Sequence, residues 1–372
     1  MRKILRVLAW IGLALALSGG PVMAQTGTEG ALQITQVVNR LQTPWAIAFL
    51  PDGRALITER RGRLLLVQDG QARSVQGVRG VPDVAAQGQG GLLDVMVPRD
   101  FATSRAVFLT YAKVQPGGGA GTALSVGRLS EDGRRLEDLR LLFEAPPGWS
   151  GGRHFGSRVV EAPDGTLFLT LGERGDRSSA QDRGNTNGSI LRLNRDGSVP
   201  ADNPFVGQAG IRPEIWSFGH RNPQGAALDA TGQLWAVEHG ARGGDEINLI
   251  RKGANYGWPV ISYGTHYSGE PIGEGQAKPG MEQPAFYWDP SIAPSGMTIY
   301  DGRLIPGWRG SLLVGSLKFN YIARLAGTPL REVGQIRSAA TRRVRDVAQA
   351  PDGSLWFLSE GNGAAYRIAP AE

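Results

Sequence analysis

The chain has 372 residues with 54 glycines, 23 prolines and no cysteine, and its formal net charge is +6. The missing cysteines exclude disulfides, thiol catalysis, thiolate metal sites and a lipid-anchored cysteine. Residues 1–24 carry all of the basic excess of one end, Arg2, Lys3 and Arg6, so without them the charge falls to about +3, too little for a nucleic-acid partner.

Residues 1–24 are expected to be a secretory leader. A basic start precedes an apolar run over 7–17, and Val22, Met23 and Ala24 end it before Gln25. The run is too short for a membrane span. The remaining chain, 25–372, is expected to be exported to a periplasm, without membrane insertion, as one domain. Helical periodicity is nearly absent beyond that point, and glycine and proline punctuate short runs of β-formers. Leu32–Val38 is the first such run. One phrase then recurs, a turn followed by an apolar strand: Pro51-Asp52-Gly53 before a strand ending at Glu59, Pro98-Arg99-Asp100, Pro163-Asp164-Gly165 before a strand and Glu173, Asp229-Ala230-Thr231-Gly232 before a strand ending at Glu238, Tyr300-Asp301-Gly302, and Pro351-Asp352-Gly353 before Glu360. Six phrases about 50–70 residues apart predict six repeats of one sheet unit, an all-β, six-bladed β-propeller. Leu32–Val38 precedes the first phrase, so it is expected to close the ring by pairing with the last blade.

The stretch 149–173 carries the first candidate site. Runs over 158–160 and 166–171 read as two antiparallel strands, with His154 just before the first and Glu173 just after the second. Their ends lie side by side in such a pair. A histidine beside a carboxylate is a general base with its orienter, the other reading being a surface histidine in a loop. Further polar, glycine-bounded segments sit near repeat ends: 88–94 with Gln89, 219–225 with Arg221 and Asn222, 238–249, 315–318 with Lys318, and 342–347 with Arg343 and Arg345. Arg343 and Arg345 alternate and so are expected to share a strand face. Cations at repeat ends facing one channel attract a ligand with several carboxylates, arginine bidentately and lysine as a compact charge. Gly240 and Ala241 offer no side-chain ligands, but exposed carbonyls there suit a hard cation such as Ca²⁺. Long segments after Glu173 and after Trp258 read as functional loops.

Taken in order, GQGGLLD (88–94), RHFGSRVVEAPDGTLFLTLGE (153–173), GHRNPQG (219–225), EHGARGGDEINLI (238–250), GANYGWP (253–259), IAPSG (292–296), GSLK (315–318) and RRVRDV (342–347) resemble the soluble PQQ-dependent aldose sugar dehydrogenases, relatives of soluble glucose dehydrogenase. The resemblance spans residues 33–367. It implies pyrroloquinoline quinone (PQQ) over the channel mouth, held with Ca²⁺. His154 falls on the general base of the family, and Glu173 on its supporting aspartate. Arg221 and Asn222 fall on the pair beside the quinone, and Gln89 on the glutamine at its edge. Lys318, Arg343 and Arg345 fall on the residues that receive the carboxylates and quinone oxygens. Ser291 falls, across a one-residue gap, on a threonine that contacts PQQ. Gly240 and Ala241 fall on a Gly-Pro pair whose carbonyls bind Ca²⁺, with the proline missing here.

The implied reaction oxidises the anomeric C1 hydroxyl of an aldose, mono- or oligosaccharide, to a lactone. His154 takes the proton, Glu173 steadies the imidazolium, the C1 hydride passes to PQQ, and Ca²⁺ and Arg221 offset the developing charge. Electrons leave to an external acceptor. Ser178 and the loop over 263–274 differ from glucose dehydrogenase, so neither its sugar preference nor any further structural calcium carries over. Trp288 is a candidate sugar-facing aromatic, core packing being its other reading. Two rival functions are a calcium-dependent lactonase on the same fold and a non-catalytic binding propeller. A formal G-x-S-x-G match at 148–152 lacks the strand before and helix after that a serine nucleophile needs.

Overall fold

A computed structural model describes residues 22–24, 31–68 and 75–371. Residues 1–21, most of the expected leader, lie outside the described residues, as do 25–30, 69–74 and 372. Six antiparallel sheets make up nearly all of the described chain. Blade 1 holds Pro44–Phe49, Ala55–Glu59, Arg63–Val67 and Val75–Val78, blade 2 holds Leu92–Met96, Ala106–Val114, Ala120–Leu129 and Leu136–Glu144, and blade 3 holds Val159–Glu161, Leu167–Thr170, Ser189–Leu193 and Ile215–Phe218. Blade 4 is Pro223–Leu228, Leu234–Glu238, Asp245–Leu249 and Phe286–Trp288, and blade 5 is Pro294–Ile299, Leu312–Ser316, Tyr321–Ala326 and Arg331–Ile336. Blade 6 is built from both ends of the described chain: Val344–Gln349, Leu355–Ser359, Ala364–Pro370, then Leu32–Val38, with Val22–Ala24 beyond it. The expected closure is therefore present, in a register that sets Ile34 opposite Ile368 and Leu32 opposite Pro370.

Every recurring phrase falls between the first and second strands of a blade, where the chain leaves the channel and turns back. In five of them an aspartate oxygen accepts the backbone N–H two residues on, Asp52 from Arg54, Asp164 from Thr166, Asp229 from Thr231, Asp301 from Arg303 and Asp352 from Ser354. This Asx turn is why aspartate recurs there. The phrase at 98–100 differs, running into a four-residue helix, Phe101–Ser104.

Six hydrophobic clusters fill the spaces between neighbouring blades, one for each of the six interfaces. A blade buried on both faces reads as an unbroken apolar run, as Leu64–Leu65–Leu66–Val67 does, rather than as alternation. Trp288 belongs to the cluster between blades 4 and 5, and its Nε1 donates to Glu332 Oε2 at 2.7 Å, so the core reading is the correct one. Among the described residues no helix is long and apolar enough to cross a membrane.

Ile34 lies at 2 % exposure on the closing strand, while Thr35 beside it is exposed. Ile34→Ala is expected to lower unfolding free energy in a denaturant titration by about 2–5 kcal/mol. Thr35→Ala should stay within about 0.5 kcal/mol. Equal effects would mean that closure is not what this strand contributes.

Candidate active site at the channel mouth

The chain enters blade 3 through an unusual backbone: His154 at φ +57° and Ser157 at φ +96° lie in the left-handed region. Such a conformation persists only where neighbours over-determine it. Here Gln89 Oε1 accepts the His154 N–H at 2.9 Å, Asn222 Oδ1 accepts from Gly156 N at 3.1 Å, and Ser157 N donates to the Thr170 carbonyl at 2.6 Å. Gly172 passes so close that a Cβ there would stand 2.3 Å from the His154 carbonyl oxygen. Three blades thus fix one histidine.

His154 Nδ1 lies 2.5 Å from Glu173 Oε2, as the strand-end reading expected, with the strands themselves at Val159–Glu161 and Leu167–Thr170. Both side chains are buried, at 8 % and 1 % exposure, which removes the surface-histidine reading. A carboxylate at Nδ1 fixes the tautomer: Nδ1–H donates to Glu173 and Nε2 keeps its lone pair. Burial holds the His154 pKa below its ordinary value, the Arg221 charge adds to this, and Glu173 opposes it. The imidazole is neutral near pH 7 and able to accept a proton at Nε2.

Arg221 follows a turn held by a second histidine–carboxylate pair. His220 Nδ1 meets Glu238 Oε1 at 2.8 Å, and Glu238 Oε2 accepts the Arg221 N–H at 2.7 Å. The guanidinium lies 5.3 Å from the Trp258 ring centroid and donates through Nη1 to the His239 carbonyl at 3.3 Å. Its Nε is buried without a partner.

Beside this pair opens a cavity of about 740 Å³ at the channel mouth. Of the residues singled out in the sequence, Gln89, Asn222, Lys318, Arg343 and Arg345 line it. His154 and Arg221 flank it, through the lining residues Phe155, Gly156 and His239. Arg343 and Arg345 do not share a regular strand face, because Arg343 precedes Val344–Gln349 at φ +48° and a bulge separates Val344 from Asp346. They converge nonetheless on Glu360, at 3.4 Å and 2.9 Å. Arg60 and Arg342 add two cations that the sequence did not single out, so five cationic side chains face one carboxylate, Glu360. His239 also lines the cavity, and burial with the charge of Arg221 drives its pKa down to about 3, so it adds no charge.

Gly240 and Ala241 form a separate corner. Asp245 Oδ1 accepts the Gly240 N–H at 2.8 Å and the Ser291 hydroxyl at 3.0 Å, and Ser291 Oγ also lies 3.5 Å from the Ala241 carbonyl. Ser291 thus stands at the Gly240–Ala241 turn rather than on the cavity wall. Among the described residues no three His, Asp or Glu side chains gather as a metal cage, so a cation at this corner would take carbonyl ligands. Ser178 is exposed and its hydroxyl donates to Asp176, and in the 263–274 loop Tyr263 stacks on Tyr287 at 4.1 Å. Ser150, of the G-x-S-x-G match, sits in an exposed turn.

Sequence and structure comparisons place the chain among known proteins. The model of the glucose/sorbosone dehydrogenase family matches residues 41–367. Aldose sugar dehydrogenase YliI of Escherichia coli is 45% identical over 339 residues, covering 89% of this chain and 91% of the relative. Quinoprotein glucose dehydrogenase B of Acinetobacter calcoaceticus is 26% identical over 403 residues, covering 87% and 84%. The structure of the soluble E. coli aldose sugar dehydrogenase in its apo form superposes with a TM-score of 0.88 at 43% identity, covering 91% of this chain and 100% of that one. The PQQ-bound aldose sugar dehydrogenase of Streptomyces coelicolor superposes at 0.76 with 27% identity, covering 93% and 99%. With a match over most of its length, a full ring of six blades and a buried histidine–carboxylate pair at the mouth, this chain belongs to the glucose/sorbosone dehydrogenase family.

Proposed function

We propose that the protein is a PQQ- and Ca²⁺-dependent dehydrogenase that oxidises the anomeric hydroxyl of aldose sugars to lactones and passes electrons to an external acceptor. The observation that carries this reading is a neutral, oriented imidazole at the edge of a cavity with five cations and one carboxylate. PQQ, a planar ortho-quinone bearing several carboxylates, fits that charge, and the partnerless Nε of Arg221 suits an acceptor oxygen on the bound group. Lys318, Arg343 and Arg345 would hold its carboxylates, Gln89, Asn222 and Arg221 its edge, and the Gly240 and Ala241 carbonyls the Ca²⁺. Ser291 would act on that corner through Asp245 and Ala241. When bound, PQQ supplies the two-electron acceptor that no side chain offers.

The residues of the chain supply the proton chemistry. His154 Nε2 accepts the proton of the C1 hydroxyl, and Glu173 at Nδ1 stabilises the positive charge that forms on the ring. Arg221 places a fixed positive charge where negative charge develops, and its burial keeps water from screening it. The leader reading of residues 1–24 and the ring formed by the described residues from Leu32 onward support an exported, periplasmic enzyme in which 25–372 form one catalytic domain. A lactonase would want acidic side chains converging on its metal, whereas this cavity is lined by five cations and one carboxylate, and among the described residues no three acidic or histidine side chains gather as a cage.

Purified protein mixed with PQQ and Ca²⁺ is expected to reduce an artificial dye when glucose is added, and a chelator should abolish the reaction. No PQQ uptake and no dye reduction would sink the assignment. His154→Ala should lower turnover by about 10²–10⁴-fold while PQQ still binds. Near-normal turnover of the loaded variant would remove the proposed base. The pH profile has a defined sign. Protonated His154 cannot accept a proton, so kcat/KM falls as pH drops through its pKa, which lies below 6.5. Because Glu173 raises that pKa, Glu173→Gln should move the acid limb to still lower pH along with a loss of rate. An unmoved limb would show that another group sets it.

A further inference from the structure

We propose that Arg158, clamped between Asp94 and Asp346 in the central channel, is the positioning residue for the floor of the cofactor cavity. Its Nη1 donates to Asp94 Oδ1 at 2.6 Å, its Nη2 to Asp346 Oδ1 at 2.9 Å, and its Nε to the Gln224 carbonyl at 3.3 Å. The second oxygens of the two aspartates accept backbone N–H groups, Asp94 Oδ2 from Val159 at 2.8 Å and Asp346 Oδ2 from Ile47 at 2.9 Å. These partners lie on the innermost strands of blades 1, 2, 3, 4 and 6. Blade 5 is fitted to the cluster too, since a Cβ on Gly296 would stand 1.7 Å from Asp346 Oδ1. All three charged side chains are buried.

The floor residues of the cavity are the immediate neighbours of this cluster. Trp45 lies with its ring 5.2 Å from the Arg158 guanidinium carbon. Leu93 adjoins Asp94, and Arg345 adjoins Asp346. Gln224 takes Arg158 on its carbonyl and Arg345 Nη1 on its side-chain oxygen at 3.3 Å. Trp45, Leu93, Gln224 and Arg345 all line the cavity. A planar guanidinium that bonds in three directions fixes the mutual placement of these four residues in a way a flexible ammonium cannot. Burial pushes the Asp94 carboxyl up to about 7 against the pull of Arg158.

The inference rests on the PQQ reading only for the identity of the occupant, and its test separates the two. The triple variant Asp94→Asn, Arg158→Met, Asp346→Asn, which leaves no buried charge unpaired, is compared with wild type and with Arg192→Met, which removes another buried arginine, bonded to Asp164 and Asp202 away from the cavity. Arg158→Lys, which keeps the charge without the fork, replaces the triple variant if that fails to fold. PQQ binding is titrated by absorbance, and cofactor-free crystals are solved for each protein. The expected result is PQQ affinity weakened about tenfold or more in the Arg158 variant and unchanged in Arg192→Met, the scale on which lost supporting partners act. The 3.3 Å contact between Arg345 and Gln224 should also be lost in the cofactor-free Arg158 variant. Equal PQQ affinity in wild type and the Arg158 variant overturns the positioning role while leaving the cofactor reading intact. No PQQ uptake by wild type overturns the cofactor reading, and the crystals then decide the positioning role alone: a displaced floor supports it, an unmoved floor overturns it.

Discussion

A ring of sheets holds only if its last member is finished, and in this chain one strand does that. Leu32–Val38 adds to Ala364–Pro370 so that blade 6 is composed of residues from opposite ends of the described chain. Without it, Ala364–Pro370 would present an open hydrogen-bonding edge. The interfaces of blade 6 with blades 5 and 1 would also lose part of their fill, since Leu32 and Ile34 pack into one and Val37 and Val38 into the other. Every other interface inherits its geometry from that closure, because six blades around one channel leave no interface free to relax alone.

Closure is what brings the site together. His154, Gln89, Arg221 and Arg345 come from the entries to four different blades, and none is a sequence neighbour of another. The histidine is held by contacts 65 and 19 residues away, to Gln89 and Glu173. Its left-handed backbone is a local cost of order 1–3 kcal/mol that the ring can bear because the surrounding bonds are rigid. His154 lies in the irregular entry five residues before the inner strand Val159–Glu161, and the bonds to Gln89 and Glu173 are what hold it in one place.

How legible this was follows from how local each signal is. Asp-Gly turns announce themselves within four residues, so five of the six first hairpins could be read from them, and the Pro-Arg-Asp phrase at 98–100 completed the blade count by its spacing. The His154–Glu173 pair was legible because one hairpin sets it, whereas the contacts of Arg158 with Asp94 and Asp346 are 64 and 188 residues apart and depend on the whole ring. All three residues lie in motifs the sequence had singled out, yet nothing local distinguishes a channel arginine from a surface one. Arg60 escaped for the same reason, being one arginine among many until the fold turns it to the cavity, and Arg342, inside the 342–347 motif, was not picked out beside Arg343 and Arg345. The alternation of Arg343 and Arg345 misled because a bulge breaks strand period at that point. Trp288 sits at a strand end in sequence but in a blade interface in space.

Charge makes the same point about scale. A net charge of a few units over so long a chain describes a protein with no overall electrostatic specialisation. Yet the Asp-Gly turns and ion pairs place many of the acids away from the mouth, as with Asp52, Asp164 and Asp352 on Arg54, Arg192 and Arg367. What remains at the cavity is a cluster of cations of which Lys318 and Arg60 have no carboxylate partner among the described residues, and Arg343 and Arg345 share one. Like charges held together in a partly desolvated cavity repel one another, and a multiply anionic ligand lowers that repulsion by binding. The cavity is thus destabilised alone and stabilised when filled, which is the electrostatic condition for holding a small anionic cofactor without a covalent bond.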